Sequence, residues 1–150
     1  MPLYLDANSL IKLFFDEGVT SLLAGQIVST YEGELIVSDL AILECSSAIG
    51  VMTRTPAASG KGFKVSHADA EKGLLELDEW CNTSALMVTI SPRDFTKAIN
   101  FVRDPNLILR GPDAIHIAVA QRLSCELCTF DQQMRTAARQ LNLALSPSTI

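Results

Sequence analysis

The 150-residue sequence lacks any apolar run that approaches the roughly 20 residues of a membrane-spanning helix. It also lacks a basic leader, since the acid Asp6 follows almost at once after Met1, so the start does not resemble a secretory signal peptide. Charged residues make up only 19% and hydrophobic residues 48%, which is too apolar for a disordered polypeptide. We therefore expect one globular domain over residues 1–150, in the cytoplasm and away from membranes.

Cysteine is scarce, with four residues in all. Cys125 and Cys128 have the spacing of half a zinc site, but no second pair accompanies them to complete four ligands. Reduced, buried thiols are the favoured interpretation, and zinc or redox chemistry remains the alternative.

A basic surplus is missing as well, because the formal net charge is −5. This balance argues against indiscriminate binding to nucleic acid. The charges are uneven, however, and no acid occurs between Glu44 and Asp69. Arg54, Lys61 and Lys64 all fall in that interval, which makes them candidates for phosphate and RNA contacts. A solvated loop that happens to be basic is an equally good interpretation.

Short apolar runs alternate with longer amphipathic segments, which predicts an α/β domain with a mostly parallel sheet of four to five strands flanked by helices. Ser38 or Asp39, Ser66 and Ser91 are predicted helix caps. The predicted strands are 3–5, 35–37, 86–90, 127–130 and 143–145. The predicted helices are approximately 9–15, 20–29, 39–52, 66–80, 91–102, 111–123 and 131–141.

Four acids stand in apolar surroundings. Asp6 and Asp131 directly follow predicted strands, where α/β folds bind their ligands. Asp113 lies in the first turn of a predicted helix, and Glu44 lies inside an apolar one. Each has an alternative explanation: the three aspartates could be helix caps, and Glu44 could be an exposed helix former.

Convergence of these carboxylates in one cleft would have an electrostatic cost. Two carboxylates about 4 Å apart repel by ~4 kcal/mol at an effective dielectric of ~20. Proton uptake or a bound divalent cation would relieve that repulsion. All-oxygen ligands suit Mg²⁺ or Mn²⁺, and such an ion can activate water against a phosphate ester.

Four segments occur in order along the sequence: Tyr4–Ser9, Ser38–Glu44, Pro112–Ala118 and Thr129–Asp131. With these segments the sequence resembles the PIN domain, and within it the VapC-like toxins of bacterial and archaeal toxin–antitoxin pairs. The resemblance implies a three-layer PIN-like fold and a metal-dependent endoribonuclease. It also implies an RNA substrate, a cognate VapB-like antitoxin protein and a homodimer.

Within that resemblance, Asp6, Glu44, Asp113 and Asp131 are the implied catalytic residues and the implied ligands of Mg²⁺ or Mn²⁺. The residues that could support them from behind are Asn8, Ser9, His116 and Thr129. For His116, three residues after Asp113, burial in an apolar helix is the favoured interpretation. Asn8 is equally well explained as a simple helix cap.

Three other functions remain open at this level. Asp6 could be the nucleophile of a phosphotransfer enzyme, although Asn8 stands where one such family has a second acid. A PIN-like RNA-binding or scaffold protein without cleavage is another, but its acid cluster would only cost stability. A nuclease without an antitoxin is the third.

Overall fold

The computed structural model describes residues 1–15 and 18–149. No helix in these two ranges is long and apolar enough to span a bilayer. The strands are β1 (Leu3–Leu5), β2 (Leu35–Ser38), β3 (Leu86–Val88), β4 (Glu126–Cys128) and β5 (Leu145–Ser146). The helices are α1 (Ala7–Phe14), α2 (Val19–Thr30), α3 (Asp39–Met52), α4 (His67–Ser84), α5 (Pro92–Arg103), α6 (Gly111–Arg122) and α7 (Gln132–Gln140).

All five described strands pair in parallel, in the order β3-β2-β1-β4-β5. The polypeptide begins at the central strand β1, moves outward through β2 to β3, and then returns to the other side for β4 and β5. The direction of winding therefore reverses between β1 and β4. In open parallel sheets, this switch point is where a crevice opens at the carboxyl ends of the strands. The predicted α/β class is confirmed.

The side chains of β1 point alternately to the two faces of the sheet, and the core is divided into two layers accordingly. Successive side chains of a strand point to opposite faces, so Leu3 and Leu5 enter one apolar cluster and Tyr4 enters the other. The first cluster receives Leu10 of α1 and residues of α3 and α4. The second receives Ile117 of α6 and residues of α7. The sheet is thus the middle of three layers.

Two strands are shorter than the apolar runs that predict them. The third ends at Val88 rather than Ile90, where the backbone N–H of Ile90 donates to Asp39 Oδ1 at 3.2 Å instead of continuing the sheet. The fourth ends at Cys128 rather than Phe130. Asp131 therefore does not directly follow its strand. Its backbone N–H donates to the Thr129 hydroxyl at 3.2 Å, and a local bond of this kind favours a turn over a strand.

Gly73 marks a close approach of α4 to the end of α1. A Cβ added there would overlap the Phe15 ring and lie 3.1 Å from the Phe14 carbonyl oxygen. Gly73→Ala is expected to lower the free energy of unfolding by about 1–2 kcal/mol, because the overlap costs more than alanine's better helix propensity returns. Gly25→Ala in α2, with open space around its Cβ, should instead be neutral or stabilising. Urea denaturation of both variants tests this difference in sign.

Candidate active site

A cleft of about 190 Å³ opens at the carboxyl ends of β1 and β4. The acids that line it come from both helical layers: Asp6 and Glu44 from α1 and α3, Asp113 and Asp131 from α6 and α7. The four acids singled out in the sequence therefore do share one cleft. The other lining residues are Ala7, Asn8, Ile11, Ala48, Arg110, His116 and Met134.

Asp6 is buried and hydrogen-bonded at the carboxyl end of the central strand β1. Its side chain is 1% exposed, and its Oδ1 accepts hydrogen bonds from the Ser9 backbone N–H at 2.8 Å and the Ser9 hydroxyl at 2.7 Å. Burial raises the pKa of Asp6, and hydrogen bonds from Thr129 and Ser9 oppose this rise. The site therefore contains a carboxylate that is shielded from water, so its ionised form depends on neighbouring groups for stabilisation.

Asp131 combines capping with a place in the cleft. It is the N-cap of α7, with Oδ1 accepting from the backbone N–H of Met134 at 2.8 Å. Asp6 caps α1 in the same way through Ser9. The predicted capping interpretation thus describes both residues correctly. Because each cap engages a single oxygen of a two-oxygen group, capping does not conflict with a role at the site.

Arg110 is a cleft residue that the sequence did not reveal. Its Nε donates to Asp113 Oδ2 at 3.2 Å, and its side chain is 75% exposed. The hydrogen bond to Asp113 raises the pKa of Arg110, with smaller contributions from Asp131 and Glu44. An ion pair this exposed contributes little to stability and exchanges easily. The available signal was the opposite charge three residues before Asp113, at the start of the same helix.

His116 is both a core residue and a neighbour of the acids. It is 1% exposed, and its Nε2 lies 2.7 Å from Oε2 of Glu44, whose side chain is 32% exposed. The interpretation of His116 as a core histidine and the idea that it reaches the acid cluster are therefore both correct. Glu44 in turn is not a freely solvated helix residue.

The cleft presents oxygen donors suited to a hard cation. Asn8 Oδ1 is buried there and has no hydrogen-bond partner among the described residues. Such an atom needs a donor, and water bound to a cation would provide one. Within the described ranges, no three His, Cys, Asp or Glu side chains already stand close enough together to hold a metal ion. The donor set thus fits Mg²⁺ or Mn²⁺ in kind, while the side chains would have to draw closer around it.

The basic loop lies apart from this cleft. Arg54, Lys61 and Lys64 are exposed, and the residues that line the cleft do not include them. Lys64 instead borders a separate groove with Phe14, Asp69 and further residues of α4. Their assignment as RNA contacts stays a prediction from the sequence.

The cysteines are buried free thiols, as the sequence favoured. Burial raises the pKa of Cys125 to about 11 and that of Cys128 to about 12. Both thiols are therefore protonated near neutral pH, and the thiolate is the form that binds metal or reacts.

Comparison with known proteins agrees with this geometry. The sequence profile of the PIN domain matches residues 3–140, and the protein belongs to the PIN domain family. Among curated proteins, it is 52% identical over 44 residues to "Ribonuclease VapC46" of Mycobacterium tuberculosis. That match covers 27% of this sequence and 34% of the relative, so it spans only about a third of VapC46.

Solved structures share the fold at low sequence identity. VapC20 of Mycobacterium tuberculosis superimposes with a TM-score of 0.69 at 13% identity, over 90% of this protein and 94% of that one. VapBC2 of Rickettsia felis gives a TM-score of 0.64 at 12% identity, over 97% of both chains. At these identities the likeness establishes the three-layer fold.

Proposed function

We propose that residues 1–150 form a single metal-dependent endoribonuclease domain, the toxin of a toxin–antitoxin pair. The observation that carries this proposal is the convergence of Asp6, Glu44, Asp113 and Asp131, from four separate helices or helix caps, on one cleft. The names of similar proteins support it: VapC46 is called a ribonuclease, and the solved VapC20 is described as a "Sarcin-Ricin loop cleaving toxin". A cytoplasmic location remains a prediction from the sequence.

The four acids would hold the ion, with Asn8 Oδ1 facing its bound water. Bound Mg²⁺ or Mn²⁺ supplies Lewis-acid polarisation of the phosphodiester and a water of lowered pKa. Ser9 and Thr129 fix the Asp6 carboxylate so that no ordering is needed when RNA arrives. Asp113 engages only Nε among the described contacts of Arg110, which leaves the Nη donors to meet a phosphate oxygen.

Cleavage of structured RNA by the purified protein is expected with Mg²⁺ or Mn²⁺ and should cease in EDTA. Excess Mg²⁺ should restore it, because EDTA removes the ion without altering the acids that would hold it. Mn²⁺ should also raise the melting temperature, since an ion that binds only the folded state stabilises it. Undiminished cleavage in EDTA, followed on denaturing gels, would show that the acids work without an ion.

Phosphotransfer through Asp6 is disfavoured by the sequence, because Asn8 stands where one such family has its second acid. The alternative of a PIN-like scaffold protein without cleavage is disfavoured too. A cluster of acids destabilises a protein that has no ion to bind, so such a protein would gain nothing by keeping it.

We further propose a VapB-like antitoxin as partner and a homodimer as the assembled form. Similar solved structures include toxin–antitoxin complexes, among them VapBC2 and FitAB. An apolar stripe on α5 supports a protein interface: Phe95, Ile99 and Val102 are 52%, 46% and 42% exposed and recur at helical spacing. Co-expression with any short reading frame found directly upstream of the gene, followed by light scattering, tests both partners.

A further inference from the structure

Three short hydrogen bonds connect Glu44 to the interior of the protein. His116 Nε2 lies 2.7 Å from Glu44 Oε2, and His116 Nδ1 lies 2.7 Å from the Tyr4 hydroxyl. The Tyr4 hydroxyl lies 2.7 Å from Ser38 Oγ, which also accepts from the backbone N–H of Ala41 at 3.1 Å. Tyr4, Ser38 and His116, called the positioning network below, come from β1, β2 and α6.

Counting donors and acceptors fixes the direction of these bonds. An ionised Glu44 only accepts, so His116 Nε2 must carry the hydrogen. In the neutral ring Nδ1 is then an acceptor, and the Tyr4 hydroxyl must donate to it. The Ser38 hydroxyl donates to the Tyr4 oxygen and accepts from Ala41, which leaves every group satisfied. The opposite direction would leave the buried Ser38 hydroxyl hydrogen without an acceptor among the described residues.

The positioning network is enclosed. Tyr4 and Ser38 are 0% exposed and His116 is 1% exposed, so water does not compete for these bonds. Burial raises the pKa of Tyr4 far above its ordinary value, and the phenol therefore keeps its proton. Ser38 is also the N-cap of α3, the helix that carries Glu44. The network thus braces α3 at two points, through β1 and α6.

We propose that Ser38, Tyr4 and His116 are positioning residues that lock the Glu44 carboxylate in the rotamer that faces the cleft. Glu44 is partly exposed, and a glutamate in that situation loses side-chain entropy when it is fixed. His116 is itself fixed, so its hydrogen bond orders Glu44 before the ion arrives. Hydrogen bonds to metal ligands from the residues behind them act in the same way. This inference rests on the proposed function, in which Glu44 is an ion ligand.

The ring state of His116 is a readout that simple packing would not produce. The sequence contains two histidines, and His67 is exposed, so His67→Gln assigns the nitrogen-15 signals of the metal-free protein. We expect His116 to show a protonated Nε2 and a hydrogen-bonded, unprotonated Nδ1. Tyr4→Phe should shift the Nδ1 resonance toward that of a free acceptor. A hydrogen on Nδ1, or a Tyr4→Phe spectrum unchanged at Nδ1, would overturn the network.

Mn²⁺ affinity, measured by calorimetry on the protein of residues 1–150, tests what the network does for the site. His116→Leu is expected to weaken Mn²⁺ binding about 10- to 100-fold, the usual cost of losing such a support. His116→Gln should recover part of it, because its amide N–H can still reach Glu44. Tyr4→Phe, which keeps the ring volume, should weaken binding up to about tenfold, and His67→Gln should not change it.

Two failures can be told apart. Wild-type protein that binds no Mn²⁺ would overturn the proposed function itself. If the wild type binds Mn²⁺ and both His116→Leu and Tyr4→Phe bind it with the same affinity, only the positioning role would be overturned. Should His116→Leu fail to fold, Tyr4→Phe decides the question. In RNA cleavage, the expected signature of both variants is a lower kcat at fixed, subsaturating Mn²⁺ with little change in KM for RNA.

Discussion

Asp6→Asn is expected to slow RNA cleavage at least about a hundredfold, which corresponds to ~2.7 kcal/mol of activation free energy. The amide keeps the shape of the side chain but removes the charge that would attract the ion. Asp6 follows β1, one of the two strands that flank the switch point, and it is the most buried of the four acids. Rates under single-turnover conditions with saturating Mg²⁺ measure this effect.

The same variant should be at least as stable as the wild type in EDTA. Asparagine is as good an N-cap as aspartate, so the bond from Ser9 is retained. Burial raises the pKa of Asp6, so the folded protein holds this proton more tightly than the unfolded one. Wild-type stability therefore falls as pH rises from the unfolded pKa, about 3.9, through the raised folded value, and the advantage of Asp6→Asn grows over that interval.

Two controls sharpen this test. Asp78→Asn changes an exposed acid of α4 outside the cleft and should leave cleavage unchanged. Asp6→Ala removes both the charge and the cap, so it should be less stable than Asp6→Asn by about 1 kcal/mol. Wild-type rates in Asp6→Asn would remove this carboxylate from the site, and wild-type rates in Asp6→Ala together with a clear loss of melting temperature would assign it to capping alone.

Arg135→Met is expected to cost about 2–4 kcal/mol of unfolding free energy, even though the new side chain is apolar and of similar length. Arg135 is 0% exposed, and its described acceptors are all backbone carbonyls. Nη1 donates to Thr129 at 2.9 Å, and Nη2 donates to Pro147 at 2.6 Å and Ser148 at 3.3 Å. Methionine has no N–H groups, so these carbonyl oxygens would lose their hydrogen-bond donors.

Relief of a buried charge offsets part of that cost. Burial lowers the pKa of the Arg135 guanidinium, and its Nε has no partner among the described residues. The net loss should appear as a fall in melting temperature on the order of 10 °C for a domain of this size. Arg139→Met on the same helix is the matched control, because Arg139 is exposed and reaches Ser148 only at 3.4 Å. Equal melting temperatures of the two variants would show that the hydrogen bonds of Arg135 do not stabilise the fold.

Sequence reasoning located the helix starts, where the deciding contact is local. The caps at Ser38, Ser66 and Ser91 each accept from a backbone N–H three residues ahead, so the residue types alone mark the helix starts. Strand β1 and the place of Asp6 directly after it were equally readable. The end of β4 was not, because it depends on the turn formed by the Thr129 hydroxyl.

Contacts between distant segments could not be read in this way. The Tyr4–His116 bond joins residues 112 positions apart, and the Glu44–His116 bond joins residues 72 apart. Periodicity shows that such residues are buried but not which partners they meet. The burial of Arg135 is a similar case, since a cation on an amphipathic helix normally faces water. The four acids stand out by their apolar surroundings and by the family resemblance, whereas Arg110 needed the coordinates.

The cleft lies on the seam between the two helical layers, with one pair of acids supplied from each side of the sheet. The separation between the pairs is therefore set by how thickly each layer packs, rather than by any loop. Close-packed interiors transmit small displacements instead of absorbing them. If the proposed cleavage is correct, directed evolution for faster cleavage should accordingly select volume changes at core positions such as Leu77 or Val119 as readily as changes at the cleft itself.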